Sequence, residues 1–273
     1  MTAAFADVSA APLTELLSLA GRKAVVTGGA QGLGKAIALR LAEAGADILI
    51  GDINAERAQA AADEISDRSP VRALGLAMDV TDSESVRAAA SSAAREFGGI
   101  DIWVNNAGIF PSVPVLDTPD NTWEQVFAVN TRGVFNGSRE AARHMSGGKR
   151  GGVIINIVST AGFTGTAPGL SAYVGSKHAV RGMTKQMALE FAPLGIRVLG
   201  VAPTFVPTEG NMAAAAVHPA TEESGRAMTV MTNSLIGRIG TPDDIARVVL
   251  FCASDLSTIM TGSTLLADAG QTI

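Results

Sequence analysis

Apolar runs of strand length alternate with segments of helical period along most of the chain. Lys23–Thr27 (KAVVT) reads as a short buried strand. Gly32–Ala44 follows with Ile37, Leu41 and Ala44 on one helical face, and Gly45 stops it. The same alternation predicts strands at Asp47–Asp52 and Arg72–Ala77, with an Ala-rich helix at Ala55–Asp67 between them. Ser83–Phe97 reads as a helix with Val86, Ala90 and Phe97 inward, ended by Gly98-Gly99. Ile102–Asn105 is a fourth strand, Asn121–Met145 a long helix, and Val153–Val158 a fifth strand. Tyr173–Phe191 is a helix closed by Pro193 and Gly195, followed by a strand at Arg197–Val201. Pro242–Ala253 carries proline in its first turn, and Ser263–Ala267 is the last strand. This order predicts an α/β fold: right-handed crossovers and a parallel sheet covered on both faces. No linker splits the chain, so residues 1–18 read as an N-terminal extension and 19–273 as one domain. Only Thr204–Gly240 stands outside the alternation, and its length predicts a substrate-binding loop.

The loop between the first strand and first helix reads Thr27-Gly28-Gly29-Ala30-Gln31-Gly32-Leu33-Gly34. Glycines permit a tight turn and let backbone approach a pyrophosphate, and the helix that follows offers free N–H groups. Without the Gly-Lys-Ser/Thr of a nucleoside triphosphate loop, a dinucleotide is the expected ligand. Asp52 ends the second strand, where a carboxylate accepts from a ribose 2′-OH and repels a 2′-phosphate. No Arg or Lys lies between Thr27 and Gly34, and Ile53-Asn54 follow Asp52, so NAD is expected over NADP. Asp79-Val80 and Asn105-Asn106-Ala107-Gly108 end the third and fourth strands, at the edge where an open parallel sheet binds its ligand.

Composition narrows the partners. The 273-residue chain is 47% hydrophobic and only 17% charged, which points to surface covered by another subunit. A net charge of −5 argues against nucleic acid. One cysteine, Cys252, excludes a disulfide framework and fits a reducing cytoplasm, and three dispersed histidines give no zinc spacing. The N-terminus lacks a basic region and carries Asp7 and Glu15, a poor secretory signal. The longest uncharged run, Gly151 to Ser176, is broken by glycines and polar residues, so it is no membrane span and is a natural place for a site.

That run contains the single tyrosine of the chain, Tyr173, four residues before Lys177 and on the same helical face. A phenol acting as base near pH 7 needs a pKa shift of about 3 units, which a buried lysine together with a positive nicotinamide ring supplies in a low-dielectric cleft. Ser159 stands just past the fifth strand at the same edge, and Asn130 lies inside a long helix, where asparagine is a mediocre residue. Each alone has a plainer reading: a surface Tyr–Lys pair, a capping serine. His178 reads as structural, and Trp103 and Trp123 as core.

Together, TGGAQGLG, NNAG at 105–108, Asn130, Ser159 and YVGSK at 173–177 resemble the short-chain dehydrogenase/reductases, from about Leu19 to the C-terminus. The resemblance implies a Rossmann-type, doubly wound seven-stranded parallel sheet, a homotetramer, and catalysis by Asn130, Ser159, Tyr173 and Lys177. In that family Tyr is the acid/base, Ser orients the carbonyl, Lys holds the nicotinamide ribose and tunes Tyr, and Asn supports a proton relay. It implies NAD contacts at Gly28, Gln31, Gly32, Leu33, Gly34, Asp52, Ile53, Asp79, Val80, Asn106, Ala107, Gly108, Tyr173, Lys177, Pro203, Val206 and Thr208. Two departures stand out. Tyr173 lies 14 residues after Ser159, one more than usual, and Thr204 replaces a glycine after Pro203. Phe110, Phe163, Phe205 and Met212 are candidate substrate contacts, with Met228 and Met231 in the same apolar loop. The expected reaction is NAD-dependent oxidation of a hydrophobic or mixed secondary alcohol to a ketone. The alternatives are an NADPH-linked 3-oxoacyl-thioester reductase and a non-catalytic dinucleotide-binding sensor.

Overall fold

The computed structural model describes residues 7–145, 151–210, 212 and 234–273. Seven parallel strands form one sheet: β1 (Lys23–Thr27), β2 (Asp47–Asp52), β3 (Ala73–Ala77), β4 (Ile102–Asn105), β5 (Gly152–Ile157), β6 (Ile196–Pro203) and β7 (Thr264–Ala267). Their order is β3-β2-β1-β4-β5-β6-β7, so the direction of winding reverses between β1 and β4. The connections that leave these paired strands run to opposite faces and open a crevice at their carboxyl ends.

The helices are α1 (Leu13–Leu17), α2 (Gly32–Glu43), α3 (Ala55–Arg68), α4 (Ser83–Phe97), α5 (Asp120–Phe127), α6 (Gly133–Met145), α7 (Ser171–Phe191) and α8 (Pro242–Ala253). Successive strand side chains point to opposite faces, and two cores result. Val26, Ile48, Ile50 and Ile155 meet Ile37 and Leu41 of α2, Ile65 of α3 and Val249 of α8. Val25, Leu49, Trp103 and Ile154 meet Val86 of α4, Met145 of α6 and Met187 of α7. Asn54, Asp82 and Thr241 cap α3, α4 and α8.

Two local expectations change. The long helix predicted over Asn121–Met145 is broken by a π-helical turn at Ala128–Arg132, centred on Asn130. Trp103 is fully buried, but Trp123 is 43% exposed and stacks on Phe127 at 4.7 Å. At the N-terminus, α1 packs against the Asp255–Ser257 turn, and Leu19, where the predicted domain starts, is fully buried. Met228, Met231 and most of the long loop lie outside the described residues.

Candidate active site

The glycine loop leaves the end of β1 and enters α2 at the crevice. Gly28 and Gly32 have φ of +61° and +54°, a region costly for side chains. A Cβ on Gly28 would meet Ala107 Cα at 2.9 Å, and one on Gly34 would meet Gly28 O at 2.1 Å. The loop is held from β4: Thr27 Oγ1 accepts from the backbone N–H of Asn106 and Ala107, at 3.0 and 3.1 Å. Asn106 Nδ2 donates to Thr27 O and Gly28 O, at 3.0 and 2.9 Å. Asn106 therefore binds the loop through its side chain. Thr27, the first residue of the motif, fixes both loops to each other. The result is a cradle of bare backbone at a helix N-terminus, which the expected nicotinamide dinucleotide fits.

Around the cradle, Asp52 is half-buried, with Oδ2 accepting from Ala30 N at 3.3 Å and Oδ1 from Asn54 N at 3.1 Å. Gln31 and Ile53 are exposed, and Leu33 is half-buried. Thr208 packs on Gly32, where a Cβ would lie 3.1 Å from its own Cβ, so the segment after β6 returns to the glycine loop. Pro203 ends β6, and Val206 is buried in the α2/α8 core. The Thr204 hydroxyl, in place of the usual glycine, donates to Gln271. Asp79 Oδ1 accepts from Thr81 N and Oγ1, while Val80 O accepts from Asn136 Nδ2. These contacts hold the end of β3 against α6.

The second group converges from β5, α7 and the π turn. Lys177 is buried, and its Nζ donates to Ile157 O at 2.8 Å. The same Nζ lies 5.6 Å from the centroid of the Tyr173 ring. Burial pushes the ammonium down to about 8. Burial also pushes the Tyr173 phenol above its ordinary value, against a side-chain hydrogen bond with Ser159 that lowers it. Lys177 is thus buried as expected, yet the chain's own groups raise rather than lower the phenol. Ser159 Oγ also accepts from Ala161 N at 3.1 Å, capping the turn Thr160–Gly162. The same hydroxyl therefore serves as both a cap and the partner of Tyr173.

Asn130 is fully buried and uses both ends of its amide. Oδ1 accepts from Ile109 N, and Nδ2 donates to Ile109 O, each at 2.8 Å. Nδ2 also donates to Ser176 Oγ at 3.0 Å, and Ser176 Oγ donates to Tyr173 O at 2.7 Å. The wide π turn lets an interior asparagine reach two other segments. Ser176 lies inside YVGSK, but nothing in the spacing marks it as the link between Asn130 and Tyr173.

The candidate substrate residues divide. Phe110 packs edge-on to Tyr173, with centroids 5.9 Å apart. Phe163 packs near Val158 and Val180, with the Arg181 guanidinium 3.8 Å over its ring. Phe205 is half-buried and Met212 exposed. Val113 N donates to Gly169 O at 3.0 Å, so the loop before α7 closes on the loop after β4. His178 is exposed, with Nδ1 3.0 Å from Val174 O.

Known proteins resemble the chain over nearly all of this framework. The family model for short chain dehydrogenases matches residues 22–240. A 3beta-hydroxysteroid dehydrogenase of Eggerthella lenta is 37% identical, over 92% of this chain and 95% of its own. A 3-oxoacyl-[acyl-carrier-protein] reductase of Thermotoga maritima is 35% identical, over 94% of this chain and 100% of its own. The crystal structure of a short-chain type dehydrogenase/reductase from Mycobacterium marinum superposes with a TM-score of 0.87 at 36% identity, covering 96% of this chain and 99% of that one. The chain belongs to the short-chain dehydrogenase/reductase family, whose members are oxidoreductases that bind a nicotinamide dinucleotide.

Proposed function

We propose that the protein interconverts a secondary alcohol and a ketone with NAD as cofactor. The observation that carries this reading is the meeting of Tyr173, Ser159 and Lys177 at the carboxyl end of β5, beside the glycine cradle. Gly28, Gln31, Gly32, Leu33 and Gly34, with Ile53, Asn106, Ala107, Gly108, Pro203, Val206 and Thr208, form the dinucleotide site. Asp52 takes the ribose hydroxyls, and Asp79-Val80 border the adenine. A nicotinamide dinucleotide held there would supply the hydride acceptor for the carbinol carbon and, in reverse, the hydride donor for the ketone.

The protein's own part is proton control and placement. Tyr173 accepts the alcohol proton as phenolate and returns it in the reverse direction. The single Ser159 O–H donates to one acceptor at a time, the phenolate form of Tyr173 or the substrate oxygen. The Lys177 ammonium, over the ring, favours that phenolate. Asn130, through Ile109 and Ser176, fixes the backbone at Gly108 and Tyr173. Phe110 forms an apolar wall against the tyrosine, and Met212, Phe205 and Phe163 complete a hydrophobic or mixed substrate site. The family reading also implies a homotetramer, and the single cysteine fits a reducing cytoplasm. Supporting the homotetramer are the low charge and the outward apolar side chains Phe135 of α6 and Leu189 of α7. The 3-oxoacyl reductase relative keeps NADPH-linked reduction of the 3-oxo group of an acyl thioester as the second reading.

Tyr173→Phe is the direct test. It should keep NADH binding, followed by fluorescence, and lose turnover on a panel of secondary alcohols by about 10²–10⁴-fold. Wild-type turnover in that variant would sink the mechanism.

A further inference from the structure

Asp52 and Arg57 approach the glycine loop at adjacent residues. The Asp52 carboxylate accepts from Ala30 N at 3.3 Å, and Arg57 Nη1 donates to Gln31 Oε1 at 3.2 Å. They come from different elements. Asp52 ends β2, and Arg57 is the third residue of α3. The start of that helix is fixed because Asn54 Oδ1 accepts from Arg57 N at 2.9 Å. Asp52 Oδ1 in turn accepts from Asn54 N at 3.1 Å. Asp52, Asn54 and Arg57 are therefore one hydrogen-bonded corner, and the corner delivers a carboxylate and a guanidinium to the same stretch of loop. Arg57, Gln31 and Ile53 are all exposed, so this stretch is open to a ligand. A guanidinium has five N–H donors in a planar fork that matches phosphate, and the bond to Gln31 uses one of them.

We infer that Arg57 is a specificity-determining residue that favours a 2′-phosphorylated dinucleotide and opposes Asp52. This rests on the proposed placement of the adenosine ribose at Asp52. A ribose 2′-OH needs only the carboxylate. A 2′-phosphate is repelled by Asp52 and attracted by Arg57, whose charge-assisted bonds to phosphate are about twice as strong as neutral ones. Discrimination between the two cofactors is then a balance between two neighbouring side chains, and removing the Asp52 charge tips it. The sequence motif hides this, because Arg57 lies beyond both segments in which a phosphate-binding cation is ordinarily sought.

The test is fluorescence titration of NADH and NADPH into the full chain at low salt, with melting curves to verify folding. The variants are Arg57→Ala, Asp52→Asn (which keeps an acceptor for Asn54 N) and the double variant. Arg57→Ala should raise the Kd for NADPH about tenfold more than that for NADH, as expected for one lost charge-assisted phosphate contact. Asp52→Asn should tighten NADPH by about tenfold, and the double variant should lose that gain. An NADPH/NADH ratio unmoved by Arg57→Ala in both backgrounds overturns the inference. A wild-type chain that prefers NADPH, with the preference abolished by Arg57→Ala, overturns the NAD reading and upholds Arg57. If neither dinucleotide binds the wild-type chain, both fall.

Discussion

Lys177 Nζ stands over the ring of Tyr173, 5.6 Å from its centroid, and donates to the Ile157 carbonyl at the end of β5. Strand and helix are thereby joined through the ammonium that faces the phenol. The position is electrostatically costly, since burial lowers Lys177 to about 8 from an ordinary 10.5. A group held this way is a sign of a site serving chemistry rather than stability.

The cost has a pH signature. Below pH 8 both folded and unfolded chains carry the lysine charge, and the full penalty is present. Between the folded value of about 8 and the unfolded 10.5, the unfolded chain binds more protons, so this group's contribution to stability rises with pH. Lys177→Met removes that slope. The melting temperature of Lys177→Met relative to wild type should therefore fall as pH rises from 8 to 10, by the equivalent of about 1–3 kcal/mol. Thermal melts across that range test it, and a difference that stays flat with pH contradicts a buried titrating lysine.

Ser159 supplies the hydrogen bond that pulls the Tyr173 phenol down against burial. Ser159→Ala should lower alcohol oxidation about 10–100-fold at pH 7, combining a lost substrate contact with a smaller phenolate fraction. The loss should shrink as pH rises, because a phenol of higher pKa ionises later. Profiles of kcat against pH from 6 to 10.5 would show the alkaline shift. A uniform loss at every pH would confine Ser159 to substrate contact.

Gly34 lies inside α2 and is buried against the loop it follows. An added Cβ there would overlap Gly28 O at 2.1 Å, whereas on Gly98 it would meet nothing within 4 Å. Gly34→Ala should abolish measurable NADH binding and lower stability by about 2 kcal/mol or more, since the clash is with backbone that cannot rotate away. Calorimetric titration with unfolding curves would check both. Retained binding would show that the loop can move away from α2.

Much of this was legible in sequence. The strand–helix alternation placed every strand of the sheet, because the inner strands are buried almost throughout and read as mainly apolar runs, and the partly buried edge strands β3 and β7 are apolar in sequence as well. The motif residues were legible because sheet order brings strand ends to one edge. Contacts made across elements were not. The π turn at Asn130 depends on Ile109 and Ser176, which lie 21 and 46 residues away. Trp123 was read as core because tryptophan usually is, yet α5 turns it outward onto Phe127. The phenol's raised pKa was also invisible, since spacing reports the nearby lysine and not the desolvation.

Beneath the site, a buried polar chain crosses the sheet. Trp103 Nε1 donates to Asn105 Oδ1 at 2.8 Å, Asn105 Nδ2 to Asn156 Oδ1 at 2.8 Å, and Asn156 Nδ2 to Thr184 Oγ1 at 3.0 Å. It joins β4 and β5, which lead into Asn106 and Ser159, to α7, which carries Tyr173. Thr184→Val keeps the shape of the side chain and leaves one Asn156 proton without its acceptor. It should cost about 1–2 kcal/mol, the penalty of an unsatisfied buried donor. Asn156→Val should cost more, because it also removes the acceptor of Asn105. In the double variant the donor orphaned by Thr184→Val no longer exists, so the combined loss should be smaller than the sum of the singles by about 1 kcal/mol. Urea unfolding of the four proteins would measure the coupling. Strict additivity would mean that Asn156 and Thr184 do not depend on each other in the folded chain.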